Sequence, residues 1–318
     1  MTTGPRMSLA AVTSTRQPSR PLRIALFGVP GVGKTTFAAQ APAPIFLCAE
    51  DGAGFLDAQA FPKPSSWGDV LEAVQELMHG EHSFKTLVID TLDALEALCW
   101  EHVCKSQPGK NKSIEDFGYG KGYVLAVEAW AELLRQLEAL QRKRGMHLVM
   151  IAHAVARDHK DPDHDAWKRW AMKLHAKSAD VIAGWVDALL FAAPEMVSKK
   201  EGLKVRGFAT GERLLYTEAT GSHEGKNRYG LPASMPLDWH IFKAAVDAAL
   251  APPRPALTAE ERERRLAVVR TDLATFVPQL PDDKRQRAAE AVEKAGDDLN
   301  QLTKILNHVL KTLDQKAA

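Results

Sequence analysis

The chain has 318 residues, a formal net charge of +1 at pH 7, 45% apolar side chains and 25% charged ones. Those values describe an ordinary globular protein and exclude collagen-like, disulfide-stapled and wholly unfolded chains. Near-neutral charge excludes a global basic field, so any nucleic-acid site must be local.

Residues 1–20 carry Arg6, Arg16 and Arg20 without an acid. They are expected to form a disordered tail, since Leu9-Ala10-Ala11-Val12 is too short for a signal-peptide core. The run Leu22 to Phe27 predicts a first strand. It feeds Gly28-Val29-Pro30-Gly31-Val32-Gly33-Lys34-Thr35, followed by helix formers to about Gln40. Strand, glycine-rich turn and helix start in that order make a P-loop. Gly28, Gly31 and Gly33 let the backbone bend so that successive N–H groups point at phosphate oxygens. The helix end adds its positive dipole. Lys34 would reach the β- and γ-phosphates, and the Thr35 hydroxyl would hold Mg²⁺ with Thr36 beside it. The motif implies ATP and Mg²⁺.

Ile45 to Ala49 is a continuous apolar run, the mark of a strand buried on both faces, and it ends in Glu50-Asp51-Gly52. Trp67 to Met78 has helical apolar spacing. Thr86 to Asp90 predicts another buried strand, and Thr91 to Cys104 a helix. Residues 105–122 break the pattern, a long loop of the kind that carries function. Tyr123 to Arg144 predicts a long amphipathic helix, and His147 to Ala152 a strand ending at His153. Residues 154–171 read as a polar loop, Met172 to Trp185 as a helix, and Asp187 to Ala192 as a strand. Leu203 to Phe208 and Arg213 to Thr217 read as a hairpin joined by residues 209–212. A glycine-bounded turn, Gly225 to Gly230, precedes a helix from Trp239 to Leu250.

The expected organisation is therefore a tail (1–20), a core (21–250), a proline-rich linker (251–257) and a helical appendage (258–318). Thr258 and Glu261 fit a capping box opening that appendage. Cys48, Cys99 and Cys104 have no metal or disulfide spacing and read as thiols of a reducing compartment, the cytoplasm. No apolar run approaches the length of a membrane span. His159, Asp161, Asp163 and His164 lack defined ligand spacing and read as solvated.

Asp90, ending an apolar strand downstream of the P-loop, suits the role of holding Mg²⁺ through water. Its neighbour is Thr91, so the acid that activates water must come from elsewhere, and Glu50 is the candidate. A glutamate at the end of the strand after the P-loop helix resembles the RecA class of ATPases, over roughly residues 21–250. That resemblance implies an α/β fold, a RecA-like core with a mostly parallel central sheet flanked by helices. The appendage lies outside it. His153 matches the position of the γ-phosphate sensor, where RecA usually has glutamine.

By the same resemblance, the loops at 105–122 and 154–178 match the two DNA-binding loops. Lys110, Lys112, Lys121, Lys168 and Arg169 would contact phosphates, and Tyr119, Trp167 and Trp170 would stack on bases. The turn Gly225-Lys226-Asn227-Arg228-Tyr229-Gly230 resembles the turn with which RecA and the DnaB helicases reach a neighbouring subunit's nucleotide, through Lys226 and Arg228 here. Gly118 to Gly122, Lys173-Leu174-His175 and Lys226 to Gly230 together are similar to phage-encoded recombination ATPases of the Sak type.

The resemblance implies a DNA-stimulated ATPase that binds single-stranded DNA and promotes annealing or strand exchange. It would act as a homo-oligomer, ring or filament, in the host cytoplasm away from membranes, with a single-strand-binding protein as a further partner. A DnaB-like helicase or loader, a small-molecule kinase and a nucleotide-gated protein-binding module remain alternatives.

Overall fold

The computed structural model describes residues 12, 20–50, 57–106, 112–161, 163–201, 204–251 and 257–317. Of the tail expected over 1–20, all but residues 12 and 20 lie outside that description. The chain divides into two compact units, Met1–Ala251 and Pro252–Ala318.

In the first unit β1 (Arg23–Gly28) leads through the P-loop into α1 (Lys34–Ala39). β2 (Pro44–Cys48), the two-residue β3 (Gln59–Ala60), α2 (Trp67–His79) and β4 (Thr86–Asp90) follow. Next come α3 (Leu92–Ser106) and α4 (Lys121–Arg144), with a 3-10 turn at Ile114–Phe117 between them. β5 (His147–Asp161) turns back as β6 (His164–Met172) and leads to α5 (Ala176–Trp185). β7 (Ala188–Glu201), β8 (Lys204–Tyr216), β9 (Lys226–Asn227), β10 (Ser234–Pro236) and α6 (Trp239–Leu250) complete the unit. Helix starts have local causes. Ser66 and Asp69 make a reciprocal capping box on α2, and Asp238 accepts the Ile241 N–H to cap α6.

The sheet order is β10-β8-β7-β1-β5-β4-β2-β3. β3, β2, β4, β5, β1 and β7 run parallel, while β8, β9 and β10 pair antiparallel. β5 inserts between β1 and β4 although it follows both in the chain, so the carboxyl ends of β1, β2, β4 and β5 share one edge. Ligands of open α/β sheets bind at that edge.

Alternation sorts the strand residues onto two buried faces. Ala25, Phe27, Leu47, Ile89 and Met150 pack with α2, α3 and α4, while Ile24, Leu26, Phe46, Val88 and Ile151 pack with α1 and α6. Trp67 meets Trp130 edge-on at 5.1 Å on the first face, and Phe37 meets Trp239 at 5.4 Å on the second. This is the mostly parallel, helix-flanked α/β core that the sequence predicts.

Two expectations need correction. Residues 154–171 are a hairpin rather than a polar loop: β5 runs on past His153 to Asp161, and β6 pairs antiparallel with it. The expected hairpin of 203–208 with 213–217 is instead one continuous strand, β8, paired along an extended β7. Both arms run beyond the buried sheet, where polar side chains are compatible with strand because no burial face demands apolar ones.

In the second unit α7 (Ala259–Phe276), α8 (Asp282–Ala295) and α9 (Leu299–Ala317) bury an apolar cluster of their own, including Leu273, Leu280, Leu302, Leu306 and Val309. Thr258 and Glu261 form a capping box at the start of α7. Among the described residues, no helix is long and apolar enough to cross a membrane.

Candidate active site

The P-loop wraps one end of an open cleft of about 340 Å³, lined also by Glu50, Asp90, His153 and Arg213. β1 delivers the loop by burial on both faces. At Gly28 a Cβ would lie 2.3 Å from the Ala192 carbonyl of β7, so only glycine lets the strands approach that closely. Gly33 opens α1 with φ 103°, a left-handed conformation that side chains resist.

Lys34 is buried, and its ammonium donates to the Gly28 and Val29 carbonyls at 3.0 and 3.1 Å. Burial lowers its pKa, opposed by the charges of Asp90, Asp93 and Glu50. Those three acids sit where the lysine charge can be kept. The Thr35 hydroxyl donates to Asp90 at 2.8 Å. Burial raises the Asp90 pKa, and the Thr35 bond and Lys34 oppose that rise. A buried carboxylate beside a hydroxyl is an all-oxygen donor pair suited to a hard divalent cation. Thr35 and Asp90 thus fit Mg²⁺, and Thr36 lines the same cleft.

Across the cleft Glu50 follows β2, and its carboxylate lies 3.9 Å from the His153 Nε2. His153 stands in β5 directly beside Gly28. Asp93, in the first turn of α3, accepts the His153 backbone N–H at 3.0 Å and bonds its Nδ1 at 2.9 Å. Burial pushes the Asp93 pKa up, but the His153 bonds and charge prevail and hold it below the ordinary carboxylate range. An ionised carboxylate only accepts, so His153 carries its proton on Nδ1 and turns Nε2 to the cleft. Ligand atoms of Glu50, Asp93 and His153 all lie within 4.8 Å of one another. Asp51 lies outside the described residues.

The structure thus brings Gly28, Gly31, Gly33, Lys34, Thr35, Thr36, Asp90, Glu50 and His153 together. Sequence reasoning missed Asp93 and Arg213. Asp93 looks like any helix-start acid, and Arg213 lies in a strand arm with no motif around it.

Lys226 and Arg228 are not in this cleft. β9 sets Lys226 beside Leu189, which lies beside Ala25 of β1, three residues before Gly28. That is about 10 Å back along the strands. The Lys226 ammonium donates to the Ala183 and Gly184 carbonyls, both at 2.7 Å, at the end of α5. Arg228 reaches Asp187 at 3.4 Å, and Arg23 holds the same carboxylate with two bonds of 3.1 Å.

The proposed DNA contacts fall on two elements. Lys112, Tyr119 and Lys121 are exposed between α3 and α4, with the Tyr119 ring fully in solvent. Lys110 lies outside the described residues. On β6, Trp167 donates its indole N–H to the Gly221 carbonyl at 2.6 Å and packs edge-on against His159. Lys168 is exposed, Arg169 pairs with Glu224 at 3.2 Å, and Trp170 stacks over Phe191 while remaining 37% exposed. Tyr123 has one ring face covered by His175 at 3.8 Å. Burial raises the Cys48 thiol to about 11 and the Cys99 thiol to about 12, which disfavours the reactive thiolate at both.

A family model described as an AAA domain matches residues 20–229. An SPbeta prophage-derived uncharacterized protein, YorG, of Bacillus subtilis (strain 168) is 23% identical over 136 residues, 42% of this chain and 41% of that protein. The match therefore spans about two fifths of that relative's length. The crystal structure of the RadB recombinase is similar with a TM-score of 0.35 and 12% identity, over 62% of this chain and 80% of that one. The family match begins just before β1 and ends in the turn holding Lys226 and Arg228, so it takes in the whole cleft: the chain belongs to the AAA-domain family, with its P-loop at the head of that cleft.

Proposed function

We propose that the protein is a phage recombination ATPase that binds single-stranded DNA and works as a homo-oligomer, by annealing or strand exchange. The observation that carries the ATPase part is the convergence of Lys34, Thr35, Asp90, Glu50 and His153 on one cleft. Phosphates lie against the N-terminus of α1, where Lys34 exchanges its two carbonyl acceptors for phosphate oxygens. Thr35 and Asp90 would hold Mg²⁺, which would supply neutralisation of the phosphate charge. Glu50 takes the proton of the attacking water. His153 faces the γ-phosphate with Nε2, the ring nitrogen that Asp93 leaves toward the cleft, and donates to a phosphate oxygen when that nitrogen also carries a proton.

Exposed cations beside exposed rings support the DNA part: Lys112 and Lys121 flank Tyr119, and Lys168 adjoins the half-open Trp170. The prophage origin of the Bacillus subtilis relative supports a phage setting. Lys226 and Arg228 are set back from their own P-loop, and to serve a neighbour's they would exchange their present partners, the Ala183 and Gly184 carbonyls and Asp187, for its phosphates.

ATP hydrolysis with and without single-stranded DNA tests the reading. Strong stimulation, lost in a Lys112→Ala/Tyr119→Ala/Lys121→Ala variant, is the expected result. Hydrolysis indifferent to DNA, with no DNA binding, would leave a nucleotide-gated protein-binding module in its place.

A further inference from the structure

Arg213 belongs to no sequence motif, yet it faces the cleft. It lies near the end of β8, opposite Pro194 of β7, and its carbonyl accepts the Leu237 N–H at 2.8 Å. Its Nη1 comes within 2.9 Å of the point where Gly33 would carry a Cβ. The guanidinium is therefore pressed against the residue that opens α1, on a wall shared with Lys34 and Thr35. The side chain is exposed and forms no ion pair or side-chain hydrogen bond among the described residues. Arg213 and Lys34 are two cations lining one cleft, and they repel each other. An anion lying between them removes that repulsion.

The strand order says which part of the anion Arg213 meets. β7 and β8 lie on one side of β1, and β5, β4 and β2 on the other. Asp90, His153 and Glu50 come from β4, β5 and the end of β2, so the cleavage chemistry occupies that second side. A triphosphate with its γ-phosphate there runs its remaining phosphates toward β7 and β8.

We propose that Arg213 is a nucleotide-binding residue acting in cis, which grips the nucleoside-proximal phosphates of both the triphosphate and the product diphosphate. The inference deepens the ATPase reading and rests on it. A guanidinium suits the task because its planar fork matches phosphate oxygens two at a time. Such a contact survives hydrolysis, unlike any contact made by Glu50 or His153 to the γ-phosphate.

The test is calorimetric affinity for ADP and for a non-hydrolysable ATP analogue, with Mg²⁺, in wild type, Arg213→Ala, Arg213→Lys and Lys34→Ala. Arg213→Ala should weaken both nucleotides by a similar factor, about tenfold to a hundredfold. Arg213→Lys should recover part of the loss, since a point charge replaces the fork. In turnover the defect should be larger in KM than in kcat. The exposed side chain leaves the core untouched, and thermal melting of each variant verifies the fold. Unchanged ADP affinity in Arg213→Ala, with binding intact in wild type and lost in Lys34→Ala, overturns this inference and leaves the ATPase reading standing. Loss confined to the ATP analogue also overturns it, because it would put Arg213 at the γ-phosphate. Absence of nucleotide binding by the wild type overturns both.

Discussion

The Asp93 carboxylate holds His153 at two points, its backbone N–H at 3.0 Å and its ring Nδ1 at 2.9 Å. One acid thus fixes both where β5 passes the P-loop and which imidazole nitrogen faces the cleft. The Lys173 ammonium, 3.9 Å from the same carboxylate, adds a second positive neighbour. The arrangement makes Asp93 a positioning residue for His153, acting without touching phosphate itself.

Removing Asp93 should therefore damage turnover more than binding. In Asp93→Ala the ring loses its anchor and its tautomer preference, and kcat should fall about a hundredfold, as displacement of a positioned group does. ADP affinity should stay near wild type, since Lys34 and the loop N–H groups are untouched. Parallel steady-state kinetics and ADP titration check this. A loss of ADP binding equal to the loss of kcat would show that Asp93 supports the P-loop and not the histidine.

The lysine and the glutamate should separate binding from cleavage. Lys34→Ala should lose nucleotide binding, because the backbone alone cannot neutralise the phosphates. Glu50→Gln should bind ATP and Mg²⁺ and hydrolyse slowly, since the amide keeps the shape and lacks the base. Nucleotide titration followed by single-turnover hydrolysis distinguishes them. Wild-type hydrolysis by either variant would remove that residue from its role.

Legibility in the sequence followed the range of the interaction. The P-loop is contiguous, and β4 and β2 advertise themselves as apolar runs ending in Asp90 and Glu50, so fold class and half the cleft could be read directly. The bond between Asp93 and His153 spans 60 residues, and no local pattern encodes such a pairing. Arg213 reads as a strand residue with nothing local to turn it toward the P-loop, and the arm of β5 and β6 is hidden for a different reason. Strands that leave the buried sheet lose the apolar signal by which strands are recognised, so Ala154 to Asp161 reads as loop although it pairs residue by residue with β6.

A half-buried histidine sets how the core responds to acid. His147 accepts the Leu22 N–H on Nδ1 at 2.9 Å, joining the starts of β5 and β1. Burial, and then Lys243, hold its pKa below the ordinary value, with Asp247 opposing. A folded pKa below the unfolded value of about 6.5 means the unfolded chain takes up the proton first. Stability is then full above that value and falls as pH drops from there through the folded pKa. His223 and His175 shift in the same direction, chiefly through burial. The Tm should fall between pH 7 and pH 5, and His147→Asn, whose amide oxygen can still accept the Leu22 N–H, should flatten part of that slope. Identical slopes in the two proteins would exclude His147 as a source.

Arg228 pairs with Asp187 in its own subunit, and its proposed role is at a neighbouring subunit's nucleotide. Its backbone N–H bonds to the Asp187 carbonyl, and Asp187 in turn bonds to Arg23 at the start of β1, five residues before Gly28. At about 3.3 Å per residue that separation exceeds the reach of an arginine to its own P-loop. The guanidinium touches Asp187 on one side and is still more than half exposed, while Asp187 is already neutralised by Arg23. A finger with those properties can be lent to a neighbouring nucleotide. Arg228→Ala should then lose on the order of a thousandfold in turnover while binding ADP normally. Mixing separates cis from trans. Glu50→Gln subunits have intact fingers and dead sites, and Arg228→Ala subunits have live sites without fingers. In mixed assemblies some live sites meet borrowed fingers, so hydrolysis should rise above that of either variant alone. If light scattering shows co-assembly and the activity does not rise, Arg228 is a partner of Asp187 and nothing more.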